Sequence, residues 1–148
     1  MSGHVPAGPL AARWLRLRLG EVRAGALAFA EVEVENAGSA AWRSDAGGGI
    51  LLSYHWLDPF GNPIVWDGLR TPFAEPVAPG HRARASLRLR GPIPPGRYRL
   101  ALDLVDERRL WFEEVGNAPL EREVDVAPRI PRALAVLRAR AGARTSRL

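Results

Sequence analysis

Most of the chain is written with a period of two. Leu15, Leu17 and Leu19 alternate with Arg16 and Arg18, and Ala28, Ala30, Val32 and Val34 alternate with Phe29, Glu31, Glu33 and Glu35. Further on, Ala83, Ala85, Leu87 and Leu89 alternate with Arg82, Arg84, Ser86, Arg88 and Arg90. Tyr98, Leu100, Leu102 and Leu104 alternate with Arg97, Arg99, Ala101 and Asp103, and Val124 and Val126 with Glu123 and Asp125. Successive side chains of a strand point to opposite faces, so each stretch predicts a strand with one buried and one wet face. Residues 50–57 differ, carrying apolar or aromatic side chains at both parities, as a central strand covered on both sides would. Strands are predicted over 14–19, 27–35, 50–57, 63–66, 82–90, 97–105, 109–113 and 121–126.

Turn chemistry separates these runs. Asn36-Ala37-Gly38 ends the second strand, and Asp58-Pro59-Phe60-Gly61 puts Asp, Pro and Gly where a type I turn uses them. Pro79-Gly80 and Pro95-Gly96 are pairs favoured by type II turns. Short strands with frequent turns predict an all-β, antiparallel sandwich of about 7–8 strands. In an immunoglobulin-like sandwich the third strand carries a core Trp and the sixth begins near a corner Tyr, which are the places of Trp56 and Tyr98. The expected layout is a loose N-terminus over 1–13, the sandwich over 14–127 and a basic tail over 128–148.

Charge supplies a test of strand order. With the second strand between the first and fifth, Glu31, Glu33 and Glu35 lie between Arg16 and Arg18 on one side and Arg82, Arg84 and Arg88 on the other. Arg97 and Arg99 likewise face Glu123 and Asp125 on the last strand. Opposite charges across strands stabilise by ~0.2–1 kcal/mol a pair, and like charges do the reverse. Most of the charge therefore reads as a self-neutralised sheet face.

The net charge of +5 is unevenly placed. Arg129, Arg132, Arg138, Arg140, Arg144 and Arg147 lie after Pro128 without a single acid, which leaves 15 arginines against 16 acids in residues 1–127, a body charge of −1. Leu134, Leu137 and Ala141 in the tail fit a short amphipathic helix ended by Gly142. All 21 basic residues are arginine, the mark of a GC-rich bacterial genome, which weakens any argument that each was chosen for its chemistry. There is no cysteine, so disulfides and thiolate metal sites are excluded. The N-terminus lacks the charged start and apolar run of a secretory signal, and no apolar run is long enough to span a membrane, so a cytoplasmic location is expected.

Catalytic signatures are scarce. The histidines are His4, His55 and His81, and no nucleophile elbow, phosphate loop or zinc-protease motif occurs. Asp103, Asp106 and Glu107 cluster at a strand end, but acid–base work needs two differently tuned groups in a pocket. His55 and Asp58 are too few for a metal, and no cofactor or metal is expected. If Leu52, Tyr54 and Trp56 face inward, Leu51, Ser53, His55 and Leu57 face outward beside Ala101, Asp103 and Val105. That face has no charge stripe, and it is either a partner surface or covered by the chain's own loops or tail. In the loop 65–72, Trp66, Asp67, Arg70 and Thr71 could stack on a sugar or clamp a peptide, or else close an Asp-Gly turn through an Asp67–Arg70 pair. The candidate binding residues are Ser53, His55, Trp66, Asp67, Arg70, Thr71, Asp103 and Trp111, with Arg132, Arg138, Arg140 and Arg144 as tail contacts.

Asn36-Ala-Gly with Trp42, Tyr54-His-Trp56, the Trp66-to-Pro72 loop, Pro79-Gly80, and Pro95-Gly-x-Tyr98 through Val105 to Trp111-Phe112 form a recognisable series. Over residues 14–126 it resembles the bacterial immunoglobulin-like accessory domains found beside glycosyltransferases and methyltransferases. It is more distantly similar to the four-tryptophan domain of selective-autophagy receptors. The resemblance implies a non-catalytic module that binds protein or glycan. This chain departs from the pattern in carrying no enzyme domain and in placing Arg108 and Arg109 where a shorter polar turn is usual.

The expected function is a binding or scaffolding module for a protein partner, which includes a second copy of the chain. The alternatives are a carbohydrate-binding module using Trp66 and Trp111, and a tether to an anionic surface or nucleic acid through the tail. A body charge of −1 argues against a dedicated nucleic-acid domain.

Overall fold

A computed structural model of the protein describes residues 8–45 and 48–130. In chain order it forms β1 (Ala12–Leu19), β2 (Leu27–Asn36), β3 (Ser44–Asp45), β4 (Gly48–Leu57), β5 (Pro63–Val65), β6 (Thr71–Pro72), β7 (Arg82–Arg90), β8 (Gly96–Asp106), β9 (Leu110–Trp111) and β10 (Leu120–Val126). A single 3-10 turn, Phe112–Val115, lies between the last two strands. One antiparallel sheet has the order β1-β2-β7, and the other the order β10-β8-β4-β3. β5 and β6 also pair with β4, and β9 pairs with β8. The protein is an antiparallel β-sandwich with the strand order of an immunoglobulin-like fold.

The arginine and glutamate stripes interlock. Arg13, Arg16 and Arg18 of β1 stand opposite Glu35, Glu33 and Glu31 of β2, and Glu35 and Glu33 stand opposite Arg82 and Arg84 of β7. The contacts are loose, from 3.3 Å for Arg13–Glu35 to 4.0 Å for Arg82–Glu35, so they favour this strand order more than they add stability. On the second sheet, Arg97 and Arg99 pair in register with Asp125 and Glu123, and Arg97 bonds Asp125 at 3.1 Å.

The core lies between the sheets. Leu52, Tyr54 and Trp56 of β4 and Leu100, Leu102 and Leu104 of β8 meet Ala30, Val32 and Val34 of β2 and Leu87 and Leu89 of β7. Polar atoms of the core aromatics tie the layers together. The Trp56 Nε1–H donates to the Arg90 carbonyl at 2.9 Å, and the Arg90 N–H donates to the Tyr54 hydroxyl at 2.9 Å. The Tyr98 hydroxyl donates to the Pro94 carbonyl, the corner bond expected at that position. At the other end, Trp42 is enclosed by Phe73 and Phe112.

Several boundaries differ from the sequence reading. The predicted strand 109–113 is only Leu110–Trp111, because the Glu114 carboxylate accepts the Trp111 N–H at 2.6 Å and the chain winds into the 3-10 turn, which ends at Gly116 with φ 96°. β1 begins at Ala12 rather than at residue 14, because Ala12 and Arg13 pair with Asn36 and Glu35 of β2; the buried Asn117 side chain accepts the Ala12 N–H at 3.0 Å. Asn117 also donates to the carbonyls of Leu10 and Phe112. β3 and β6 span two residues each, too few to show a period. The expected tail helix and Arg132, Arg138, Arg140 and Arg144 lie outside the described residues.

Candidate functional site

The register of β4 and β8 puts Leu51, Ser53, His55 and Leu57 beside Val105, Asp103, Ala101 and Arg99 on the outer face of the second sheet. Half of that face is roofed by the chain itself. Ser53, His55 and Asp103 are 0%, 1% and 1% exposed, so the expectation that they form a contact surface is corrected. The segment after β5 folds back over the sheet. The Gly68 N–H donates to the Tyr54 carbonyl at 3.1 Å, and a Cβ on Gly68 would lie 2.4 Å from that oxygen. Only glycine allows this close approach. β9 and the 3-10 turn cover the other side.

Arg70 clamps the roof. Its Nε and Nη2 donate to the two Glu107 carboxylate oxygens at 2.9 and 3.2 Å, and Nη2 also donates to Asp67 at 3.0 Å. Nη1 donates to the Gly68 carbonyl at 2.8 Å and to the Ser53 hydroxyl at 3.3 Å, while the guanidinium sits 4.8 Å from the Trp111 ring centroid. The Arg70 guanidinium holds the Glu107 carboxyl below the usual carboxylate range, and Glu107 in turn raises Arg70. Arg70 thus makes the Asp67–Arg70 closure that the sequence offered as the alternative, with Glu107 as its more shielded partner. Thr71 is likewise structural, its hydroxyl accepting the Arg88 N–H at 3.0 Å.

Beneath the roof, His55 is sandwiched by aromatics. Its ring stacks on Trp66 at 3.7 Å and 14°, and Trp111 packs tilted against it at 4.4 Å. Nδ1 faces the Trp66 carbonyl, which can only accept, so Nδ1 carries a hydrogen. Nε2 lies 2.9 Å from Asp103 Oδ2. The other Asp103 oxygen accepts the Leu104 N–H at 2.8 Å. Burial pushes the Asp103 carboxyl above the usual range, against the opposing pull of the His55 and Leu104 hydrogen bonds. Ligand atoms of His55, Asp103 and Glu113 lie within 4.8 Å of one another, the one such grouping among the described residues.

The uncovered half of the face is a groove of about 270 Å³. Leu57 and Ala101 form its floor, Pro63 and Trp66 one wall and Pro119 the other, while Arg99, Glu113 and Glu121 supply charge. Trp66 is 39% exposed, and Phe60, at the tip of the β4–β5 hairpin, is 90% exposed. Asp58 holds that tip by accepting the N–H groups of Phe60 and Asn62, each at 2.9 Å, and these bonds with the Asn62 side chain hold its carboxyl below the ordinary value. Of the eight candidates in the body, Trp66 alone is an exposed wall of the groove. Trp111 is half-buried under Arg70. Leu57, Arg99, Glu113 and Glu121 were missed as site residues, although Leu57 was placed on the correct face. No family model matches the chain, and no curated protein matches it significantly.

Proposed function

We propose that the protein is a non-catalytic protein-binding module that receives an apolar side chain of its partner in the groove beside Trp66. The observation that carries this reading is an apolar floor, Leu57 and Ala101, next to an aromatic hairpin tip that stands in solvent. At about 270 Å³ the groove is smaller than usual drug-sized pockets and suits one large side chain. Arg99, Glu113 and Glu121 around an apolar centre supply the polar rim that fixes orientation at interfaces. A binding role is further supported by the commitment of His55, whose two ring nitrogens are engaged by the Trp66 carbonyl and Asp103. The test is selection of random displayed peptides on the intact chain and on a Phe60→Ser/Glu121→Arg variant. Both substituted side chains are exposed, so the fold is expected to survive. Peptides with an apolar anchor that bind the wild type and not the variant are expected; equal recovery on both would overturn the reading.

A glycan is the second reading, favoured by the Trp66 indole standing next to Glu113 and Glu121. A glycan-array signal lost in Trp66→Ala, together with no peptide selection, would establish it in place of the first.

A further inference from the structure

We propose that His55, Asp103 and Glu113 form a binding site for a divalent cation of the Zn²⁺ type. Their ligand atoms converge within 4.8 Å, from β4, β8 and the 3-10 turn. Imidazole nitrogen and carboxylate oxygen are both donors that zinc accepts, and three protein ligands leave a fourth position open.

The orientation of His55 is the second observation. A ligating histidine almost always donates its other ring N–H to a carbonyl or carboxylate, which fixes the tautomer and aims the free lone pair. In this chain Nδ1–H is held by the Trp66 carbonyl, and the ring is clamped between two tryptophans. Nε2 is thereby aimed at Asp103 Oδ2. Asp103 is itself oriented by the N–H group of Leu104. These outer bonds remain intact when a cation enters between Nε2 and Oδ2.

The geometry needs little adjustment. Two donors each ~2.05 Å from a tetrahedral zinc are about 3.3 Å apart. Nε2 and Oδ2 are 2.9 Å apart, so the gap opens by about 0.4 Å. The Glu113 side chain is exposed, and among the described residues its carboxylate makes no hydrogen bond or ion pair, so it is free to swing inward. The groove is lined by both His55 and Glu113, and it gives a cation its entry and a water its place in the fourth position.

The test is titration of the chelator-treated intact chain with zinc chloride, followed calorimetrically, and with cobalt(II) chloride, followed by visible absorption. One equivalent at micromolar affinity or tighter is expected, with cobalt bands of four- or five-coordinate geometry. Glu113→Gln should weaken zinc by at least about tenfold while leaving the melting temperature of the metal-free protein unchanged. A His4→Gln/His81→Gln variant should bind as the wild type does. The proposal is overturned by the absence of saturable one-equivalent binding, by full affinity in Glu113→Gln, or by loss of binding in the His4/His81 variant. None of these results depends on what occupies the groove.

Discussion

Arg70→Met should release the roof over Ser53, His55 and Asp103 while leaving the sandwich beneath it assembled. Methionine keeps the apolar stem and removes the guanidinium. The bond to Asp67 counts for almost nothing, because that carboxylate is 75% exposed. The two bonds to Glu107 are charge-assisted and three-quarters shielded, and together contribute about 1 kcal/mol. The Gly68 carbonyl loses a partner, which costs about 1 kcal/mol. The cation–π contact with Trp111 adds ~0.5–1 kcal/mol. The sum is about 2–3 kcal/mol, which at roughly 4 °C per kcal/mol for a domain of this size lowers the melting temperature by roughly 8–12 °C. Hydrogen exchange should show the extra opening first in residues 66–72, where the Gly68 N–H is held by the Tyr54 carbonyl. A melting temperature within about 2 °C of wild type, with unchanged exchange over 66–72, would refute the clamp.

Four further outcomes follow from the same geometry. Asp103→Asn should be mild, because an amide can donate to Nε2 and its oxygen can still accept the Leu104 N–H, whereas Asp103→Ala strands buried polar groups and should cost about 3 kcal/mol by chemical denaturation. Tyr98→Phe, which removes the bond to the Pro94 carbonyl, should cost about 1 kcal/mol in the same assay. Glu33→Arg sets like charges among Arg16, Arg82 and Arg84 and should lower thermal stability at low salt, with much of the loss recovered at high ionic strength. Arg70 depresses the folded-state Glu107 carboxyl below its ordinary value of 4.5, so its contribution is full above that value and lost as pH falls through the folded one. The melting-temperature gap between wild type and Glu107→Gln should stay constant from neutral pH to about pH 5 and close on further acidification; a gap that widens in acid would contradict this.

Strands and their order were legible because period and charge are local and pairwise. Alternating leucine and arginine fixes which face is wet, and a glutamate stripe between two arginine stripes admits few neighbours. Trp56 and Tyr98 were legible because their places are properties of the architecture. The roof was not. Parity shows that Ser53, His55 and Asp103 share the outer face, but it carries no sign of a second layer above them. Their polar character read as exposure, yet the partners that satisfy them stand far off in the chain. His55 meets Asp103 across 48 positions, and Arg70 meets Glu107 across 37. The groove escaped notice for the same reason: Pro119 stands in an irregular stretch with no period to read, and the alternation that predicts the strand holding Glu121 does not show what it faces.

Asn117 has a consequence for biosynthesis. Its side chain holds Leu10 and Ala12 at the entrance of β1, 107 and 105 positions earlier. At ribosomal speeds of ~5–20 residues per second, roughly 5–20 s separate the emergence of β1 from that of its anchor. β2 can pair with β1 early, but the end of that strand stays unlatched until Asn117 has emerged. A chain stalled short of Asn117 therefore lacks both this latch and the whole of β10, so the end of β1 and the outer edge of β8 are open together.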